Sequence, residues 1–306
     1  MNRPLPTLSV VIPAYNEHEF IGRCLQALLD QADQLTEIIV VDNNSRDDTV
    51  HIVEAMQKKS AKIHLLHEPK QGAIAARDRG LDAAKSELIA RIDADTIVLP
   101  GWAEAVRAYF DQTNYKNVVA ASGPVYPHDA PFKKTTKWFI KAFFKSNGRH
   151  GDIGSLFGSN MIIRRDTWLK VRDEVCRRHD IMEDQDIAIH VTQHHDYVGY
   201  ITDMEATVSS RRLQMNPIGY WRYQALWPNT YVVHGMYLVA ARIWLLAILG
   251  NLIQLLVVVP TRAYNPYTER FSLTYLFGFF KNDRERELPY QKEVKAKKQI
   301  ARINRS

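Results

Sequence analysis

Cysteine is scarce in this sequence, because its 306 residues contain only Cys24 and Cys176. Two thiols cannot build a disulfide framework or a thiolate zinc site, so they favour a reducing compartment. Intrinsic disorder is also excluded, since 46% of the residues are hydrophobic and only 24% are charged. A chain of this length can bury a sizeable core, in one large domain or in two small ones.

Most of the chain carries no excess of positive charge. The formal net charge is +6, and residues 281–306, with nine Lys/Arg and four Asp/Glu, carry +5 of it. Residues 1–280 are therefore nearly neutral, which excludes a nucleic-acid binder with a basic folded face. A basic tail that follows apolar segments favours contact with an anionic membrane surface.

The first 100 residues alternate between short β-branched runs and helical patterns. The runs recur at a spacing of ~25 residues, which is typical of βαβ units that build a parallel sheet with helices on both faces. In such sheets ligands bind beyond the carboxyl ends of the strands. The predicted strands are residues 8–13, 37–42, 62–67 and 88–93.

Polar residues follow three of these strands. The first strand continues into residues 13–17 (PAYNE), the second into residues 42–49 (DNNSRDDT) and the fourth into residues 93–95 (DAD). Three strand ends that bring carboxylates to one crevice exceed what turns require, and we expect Asp42 to be functional. The aspartates at 47 and 48 are interpreted more simply as helix N-caps.

Asp93 and Asp95 stand two residues apart after an apolar strand. If this segment is extended, both side chains point the same way, and a bound divalent cation relieves their repulsion. Carboxylates together with substrate phosphates suit Mg²⁺ or Mn²⁺. An Asp-x-Asp pair is a weak signal by itself, but its position at a strand end strengthens it.

Three segments of the first half carry a resemblance to a known family. They read VVIPAYNE, EIIVVDNNSRDDT and QGAIAARDRGLDAAKSELIARIDADT, and they resemble the nucleotide-sugar-binding half of family 2 glycosyltransferases with the GT-A fold. In the second half, residues 158–165, 182–186 and 208–213 resemble the acceptor-side strand, the Glu-Asp motif and a downstream segment of that family. The resemblance covers roughly residues 7–215.

The resemblance implies roles for particular residues. The base and ribose pocket of a nucleoside-diphosphate sugar would be lined by Pro13, Tyr15, Glu17 and Asp42. Arg77 would lie near the diphosphate, Asp93 would touch the ribose or the metal, and Asp95 would bind Mn²⁺ or Mg²⁺. The acceptor would contact Gly158, Ser159 and Asn160, and Asp184 would be the general base with Glu183 beside it.

Two of these assignments keep a simpler alternative. Arg77 also fits a surface ion pair with Asp78 or Asp82. The acidic segment at 183–186 also fits a helix N-terminus, where the macrodipole favours carboxylates.

The sequence departs from the family pattern in two places. The common Asp-Asp-Gly-Ser turn reads Asp-Asn-Asn-Ser at residues 42–45, which leaves open the contact expected from the second aspartate. The Gln-x-x-Arg-Trp motif of processive synthases is missing after Arg212, which argues against a polymerising enzyme. His190, His194 and His195 are interpreted as an exposed cluster without a metal role.

The last third contains an apolar run at residues 236–259, which is long enough to span a bilayer. A single crossing would place the basic tail outside, against the positive-inside tendency. We therefore expect monotopic or re-entrant attachment to the cytosolic face of the membrane, with a buried core helix as the alternative. The basic aromatic segment at 132–149 fits either core packing or the membrane interface.

These observations predict an α/β protein of GT-A fold, with a Rossmann-like mixed sheet and a C-terminal helical extension that associates with a membrane. The catalytic domain would span residues 1–215, with a nucleotide-sugar half at 1–100 and an acceptor half at 101–215. Membrane-associating helices would follow at 216–280 and a basic tail at 281–306.

The predicted function is metal-dependent, inverting sugar transfer from a nucleoside-diphosphate sugar to a lipid-linked or saccharide acceptor, in cell-envelope glycan or glycolipid synthesis. We expect no nucleic-acid partner. The alternatives are a sugar nucleotidyltransferase and a non-catalytic membrane scaffold with a degenerate GT-A fold.

Overall fold

The computed structural model describes residues 4–112, 117–131, 133–146, 153–265 and 269–271. The chain divides into two units. The first unit comprises Met1–Tyr126 and Lys134–Val208, and the second comprises Pro127–Lys133 and Ser209–Ser306.

Strands and helices alternate through most of the described chain. The strands are β1 (Leu8–Ala14), β2 (Glu37–Asp42), β3 (Ile63–His67), β4 (Leu88–Arg91), β5 (Ile97–Val98), β6 (Val118–Ser122), β7 (Val125–Pro127), β8 (Met161–Arg164), β9 (Tyr197–Tyr200), β10 (Ala206–Val208), β11 (Tyr264–Asn265) and β12 (Arg270–Phe271). The α-helices are α1 (Ile21–Leu29), α2 (Thr49–Gln57), α3 (Ala73–Ala83), α4 (Trp102–Gln112), α5 (Lys133–Ser146), α6 (Arg165–Val171), α7 (Glu183–Gln193), α8 (Pro217–Val233) and α9 (Tyr237–Ala263).

A seven-stranded mixed sheet forms the centre of the first unit, in the order β3-β2-β1-β4-β8-β6-β9. The four strands predicted from the first 100 residues pair in parallel, as β3-β2-β1-β4. Strand β8 then runs antiparallel to both β4 and β6, and β9 is parallel to β6. The carboxyl ends of β1, β2 and β4 therefore lie side by side, as the βαβ pattern predicts.

The hydrophobic core covers both faces of this sheet. Along β1 the side chains alternate, so that Val10 and Ile12 join one buried cluster and Val11 joins the other. Helix α1 packs on the first face through Leu25, and α3 packs on the second through Leu81. This two-sided burial explains why the strands read as continuous apolar runs.

The fourth strand is shorter than predicted. It ends at Arg91, and the backbone N–H of Thr96 donates to the carbonyl of Asp93 at 2.9 Å. A turn therefore replaces the extended segment expected at 93–95. The argument that Asp93 and Asp95 point the same way because they lie on a strand is wrong.

Helix α5 carries the basic aromatic segment. Lys137 and Lys141 bond the carboxylate of Glu205, at 2.7 and 2.5 Å. Trp138 is 68% exposed, so this ring does not pack on a core. Residues 132 and 147–149 of the segment lie outside the described residues, as do the side chains at 139, 143 and 144.

The second unit contains a hairpin of two helices, α8 and α9. The indoles of Trp221 and Trp244 are in contact, with ring centroids 5.6 Å apart. On α9, Gln254 Nε2 donates to the carbonyls of Leu213 and Met215, at 3.3 and 3.1 Å. The polar side chain of Gln254 is thus used inside the unit.

The remaining surface of α9 is largely apolar and exposed. Among the described residues, α9 is the one helix long and apolar enough to cross a membrane, and only 17% of its most apolar window is buried. The alternative of a buried core helix therefore does not hold. The predicted tail at 281–306 and residues 272–280 of the predicted membrane-associating segment lie outside the described residues. The more exposed side chains of α9 include Leu238, Leu245, Leu249, Leu252, Leu256 and Val259.

Close packing between α3 and the sheet leads to a stability prediction. A Cβ on Gly80 would stand 2.3 Å from Val11 Cγ1 and 3.0 Å from Val41 Cγ2. We expect Gly80→Ala to destabilise the first unit by about 1–3 kcal/mol, because the methyl group overpacks the core. Urea unfolding followed by circular dichroism measures the change.

Gly22→Ala in α1 is the matched control. Its Cβ would meet Ile52 Cγ2 at 3.4 Å, which is an ordinary contact. The better helix propensity of alanine should keep this variant within about 1 kcal/mol of the parent or above it. Equal unfolding midpoints for the two variants would contradict the packing argument.

Candidate functional site

The loops after β1 and β2 are joined by hydrogen bonds. Asn16 adopts a positive φ of 54°, and its Oδ1 accepts from the backbone N–H of Arg46 at 2.8 Å. The N–H of Glu17 donates to Thr49 Oγ1 at 2.8 Å. These bonds fix the backbone that follows Tyr15, a residue that is 45% exposed. Pro13 and Glu17 are partly buried at the same strand end.

Asp42 ends β2 with its side chain almost fully buried. Its two carboxylate oxygens accept from the backbone N–H of Ser45, at 3.2 and 3.4 Å. The Oδ2 atom also lies 3.2 Å from Nδ1 of His67, which ends the neighbouring strand β3 and is largely exposed. The carboxylate is therefore held at the edge of the sheet where a ligand is expected.

Asn43 explains one departure from the family pattern. Its Nδ2 donates to the carbonyls of Glu68 and Lys70, both at 2.8 Å, and its Oδ1 accepts from the N–H of Gly72 at 2.7 Å. An aspartate could not donate to the two carbonyls. Asn43 therefore fixes the loop that leads into α3, the helix that carries Arg77.

Asp47 has a local role at the start of α2. Its Oδ1 accepts from the N–H of Thr49 at 3.0 Å and from the Thr49 hydroxyl, and its Oδ2 lies 2.6 Å from His18 Nδ1. Burial raises the pKa of Asp47, but the bonds from Thr49 and His18 outweigh it, so the pKa is lowered. Asp48 takes the N-cap position without a side-chain bond.

The charges of three carboxylates act on the thiol of Cys24. This thiol is fully buried and lies 3.9 Å from the carbonyl of Asp93. Burial raises the pKa of Cys24, and the charges of Asp95, Glu17 and Asp93 raise it further. Three carboxylates from two strand ends therefore create a negative potential at one place. Such a set of hard oxygen donors fits Mg²⁺ or Mn²⁺.

Arg77 is not on the surface, as its simpler alternative required, but lies in a buried network of charges. Its Nη1 donates to Glu183 Oε2 at 2.6 Å, and its Nη2 lies 3.8 Å from Asp93 Oδ1. Burial lowers the pKa of Arg77, but the charges of Glu183 and Asp93 outweigh it and raise the pKa. The bond joins α3 to the first residue of α7.

Asp184 follows Glu183 in the first turn of α7 and is partly exposed. Its Oδ2 accepts from the N–H of Gly158 at 2.5 Å, and its Oδ1 accepts from the N–H of Gln185 at 3.0 Å. Glu183, by contrast, is buried. Of this pair, Asp184 is the carboxylate that a substrate hydroxyl can reach.

The three predicted acceptor residues have different environments. Gly158 contacts Asp184, and the carbonyl of Ser159 accepts from the Thr96 hydroxyl at 3.1 Å. Asn160 has no exposed surface, and its amide bonds Trp102, Pro124 and Met204. The side chain of Asn160 therefore holds the strand end together and is not presented to a ligand.

The predicted exposure of the histidine cluster is wrong for His190. This residue is buried in α7, and its Nε2 lies 3.8 Å from Asp186 Oδ1. The ligand atoms of Cys176, Asp186 and His190 all lie within 4.8 Å of one another. Asp186 also accepts from the N–H of Cys176 at 2.7 Å, which accounts for its complete burial.

Sequence reasoning missed Arg91, the last residue of β4. Arg91 is buried, its Nε donates to the carbonyl of Gly158 at 2.9 Å, and its Nη1 lies 3.5 Å from Glu183 Oε1. Burial lowers the pKa of Arg91, and the charge of Arg77 lowers it further. The sequence does contain a signal for Arg91, which is the one charged residue inside the apolar run LIARI. A charged residue in a buried strand indicates a specific role, because a buried arginine requires partners.

Solved structures share the architecture of this chain. Mannosyltransferase PcManGT from Pyrobaculum calidifontis, in complex with GDP-Man and Mn²⁺, aligns with a TM-score of 0.58 at 17% identity, over 97% of this chain and 81% of that one. GalNAc-T7 with UDP, GalNAc and Mn²⁺ aligns with a TM-score of 0.54 at 13% identity, over 68% and 44%. At these identities the likeness concerns the fold alone, and it confirms the predicted GT-A fold.

The sequence comparison shows the family. The family model described as Glycosyl transferase family 2 matches residues 9–169, and the chain belongs to this family, as its motifs predict. It is 30% identical over 166 residues to the putative glycosyltransferase EpsH of Bacillus subtilis, covering 51% of this chain and 48% of that protein. Glycosyltransferase GlyG of Streptococcus pneumoniae is 33% identical over 123 residues, covering 40% of each. The chain thus spans half or less of these relatives.

The bonds of Asn43 lead to a stability prediction. We expect Asn43→Asp to destabilise the first unit by about 1–3 kcal/mol, because a carboxylate would face two carbonyls that lose their donor. Asn44→Asp is the control, since Asn44 lies closer to solvent and bonds only Pro69 and Gln71. Thermal unfolding of both variants tests this, and an Asn43→Asp variant as stable as its control would contradict it.

Proposed function

We propose that this chain transfers a sugar from a nucleoside-diphosphate sugar to an acceptor hydroxyl, in glycan or glycolipid synthesis. The observation that best supports this proposal is the position of Asp184. It is held by Gly158 and is linked through Glu183 and Arg77 to Asp93, at the end of the central strand β4. A candidate base and a candidate leaving-group site therefore belong to one network.

The donor side of the site consists of the strand ends in the first 100 residues. We propose that Tyr15, Pro13, Glu17 and Asp42 line the base and ribose pocket. The partly exposed ring of Tyr15 and the fixed carboxylate of Asp42 support this role. The two fold neighbours described above were solved with GDP-Man and with UDP and GalNAc, which supports a nucleotide-sugar donor here.

We propose that Asp95 and Asp93 hold Mn²⁺ or Mg²⁺, with Glu17 nearby. The negative potential at Cys24 supports this donor set, as does the Mn²⁺ in the structures of both neighbours. A divalent cation would supply charge neutralisation for the departing diphosphate. Arg77 would add a guanidinium, which suits phosphate oxygens.

Asp184 is the proposed general base. It accepts the proton of the acceptor hydroxyl while that oxygen bonds the anomeric carbon and the bond from this carbon to the diphosphate oxygen breaks. One displacement with one base inverts the anomeric configuration. Glu183 is buried between two arginines, so we assign it to holding the network and not to proton transfer.

The acceptor is proposed to approach beside Gly158 and Ser159, with the buried Asn160 fixing their backbone. A lipid-linked acceptor is supported by the second unit, because α9 presents an exposed apolar surface. Arg222 of α8 and Arg242 of α9 are both exposed. An arrangement parallel to the membrane keeps both guanidinium groups among the headgroups, which supports attachment to the cytosolic face without crossing.

The base assignment is tested by Asp184→Asn. We expect kcat to fall by about 10³-fold or more, since a neutral amide cannot take the proton. The affinity for the nucleoside diphosphate, measured by calorimetry with Mn²⁺, should change little. Asp166→Asn, which removes a charge at the start of α6 whose carboxylate bonds Thr167, is the control and should retain activity.

Product analysis completes this test. An inverted anomeric configuration, read from the coupling constant of the product by NMR, is expected. Release of a nucleoside diphosphate is expected as well, whereas release of pyrophosphate from a nucleoside triphosphate and a sugar 1-phosphate would identify a sugar nucleotidyltransferase. Undiminished turnover by Asp184→Asn would refute the assignment of the base.

Membrane attachment is tested by flotation with vesicles that contain phosphatidylserine. The parent should float with the vesicles, and the triple variant Leu245→Ser, Leu252→Ser, Leu256→Ser should lose about tenfold or more in partitioning, because burial of each leucine contributes about 1.5–3 kcal/mol. The control replaces exposed apolar residues of the first unit, with the changes Leu5→Ser, Leu169→Ser and Tyr197→Ser.

Protease access distinguishes attachment from crossing. Trypsin added outside intact spheroplasts should leave the basic tail uncut, because the tail is expected in the cytosol. Cleavage of the tail from outside would favour a crossing helix. Flotation of the triple variant equal to that of the parent would contradict the role of α9.

A further inference from the structure

Arg91 occupies a position that the proposed chemistry does not use directly. It ends β4, next to the candidate metal site, yet its side chain is only 2% exposed and turns toward Gly158 and Glu183. A buried guanidinium is costly unless it is paired and hydrogen bonded. The contacts that stabilise Arg91 are therefore the ones through which it can act.

The first contact is with the peptide of Gly158. The carbonyl of Gly158 accepts from Arg91 Nε at 2.9 Å, and its N–H donates to Asp184 Oδ2 at 2.5 Å. A Cβ on Gly158 would stand 1.4 Å from Arg91 Nη2 and 2.9 Å from Asp184 Oδ2. Only glycine lets the guanidinium reach this place, and the guanidinium holds one side of a residue whose N–H orients the candidate base.

The second contact is with Glu183, which two arginines share. Arg77 Nη1 lies 2.6 Å from Oε2, and Arg91 Nη1 lies 3.5 Å from Oε1. The side chain of Arg77 is 19% exposed, whereas that of Arg91 is nearly inaccessible. If the outer arginine turns toward a ligand, the inner one still neutralises Glu183.

We propose that Arg91 is a positioning residue for sugar transfer, which holds Asp184 in place through Gly158 and keeps Glu183 paired while Arg77 engages the donor diphosphate. The inference rests on the proposed function, because it assigns roles to Asp184 and Arg77 in that reaction. Arg91 itself is too deeply buried to contact a substrate.

Kinetics of Arg91→Lys and Arg91→Met test the proposal. Both variants should lose about 10- to 100-fold in kcat, because a small misplacement of a catalytic group costs this much. The KM for the acceptor should change less than about threefold. Arg107→Met is the matched control, since Arg107 Nε also donates to a backbone carbonyl, that of Pro6, outside the network.

The pH profile separates positioning from a general loss of stability. A positive charge and the Gly158 N–H both favour the ionised form of the base. In Arg91→Met, which removes a nearby positive charge, the acid-side midpoint of the kcat profile should rise, whereas Arg91→Lys, which keeps the charge, should move it less. A purely structural role for Arg91 would lower the amount of folded protein without shifting the profile.

If Arg91→Met does not fold, the double variant Arg91→Met, Glu183→Gln removes both members of the buried pair and takes its place. NMR gives a readout that does not need turnover. The chain has 14 glycines, so ¹⁵N-glycine labelling with ¹³C-phenylalanine selects the Phe157–Gly158 peptide and one other. The pH midpoint of the Gly158 amide shift should rise in the methionine variant.

The outcomes distinguish the two ideas. Folded Arg91 variants with the parent's kcat, pH profile and Gly158 midpoint would overturn the inference and leave the proposed function intact. A parent that turns over no nucleotide sugar would refute the proposed function, and the Gly158 midpoint would still decide whether Arg91 acts on Asp184.

Discussion

The buried carboxylate of Glu183 is the interaction on which the candidate site depends. Burial of a carboxylate is stable only with good partners, and its partners Arg77 and Arg91 come from α3 and β4, on the donor side of the first unit. Glu183 itself begins α7, next to Asp184. One cluster of charges therefore fixes the distance between the strand-end carboxylates and the candidate base, which no single strand or helix could set.

Hydrogen bonds to backbone groups hold the rest of the candidate site in place. Asn43 fixes the entry to α3 by bonding two carbonyls and one N–H, and Gly158 links Arg91 to Asp184 through its own peptide groups. Neither residue can be replaced by one of similar size. An aspartate at 43 could not donate to the carbonyls, and an alanine at 158 would collide with Arg91. These hydrogen bonds are in place without a ligand, and such preorganised groups are what electrostatic stabilisation of a transition state requires.

The sequence predicts the fold well because burial on both faces of the sheet leaves a local signature. Strands β1 to β4, their parallel order and the carboxylates at their ends follow from runs of apolar residues and their spacing. The Arg77–Glu183 bond joins residues 106 positions apart, so no local pattern reports it. For the same reason the burial of His190 was missed, since the packing of α7 and not its composition decides which side chains are covered. The turn at Asp93 was also invisible, because apolar spacing does not show where a strand ends.

For helix α9 of the second unit, the structure distinguishes a core helix from a membrane-associated helix, which the composition alone does not. An apolar helix of this length fits a protein core or a membrane, and the polar residues within it fit either. The structure turns Gln254, Thr261 and Arg262 inward, where Gln254 and Arg262 bond carbonyls of residues 213–215. These polar groups are thereby bonded inside the unit, and the outer face is largely apolar, with Arg242 as an exposed charge. Exposure of such a face to water is unfavourable, and burial against an apolar partner, which we propose to be a membrane leaflet, would remove this cost.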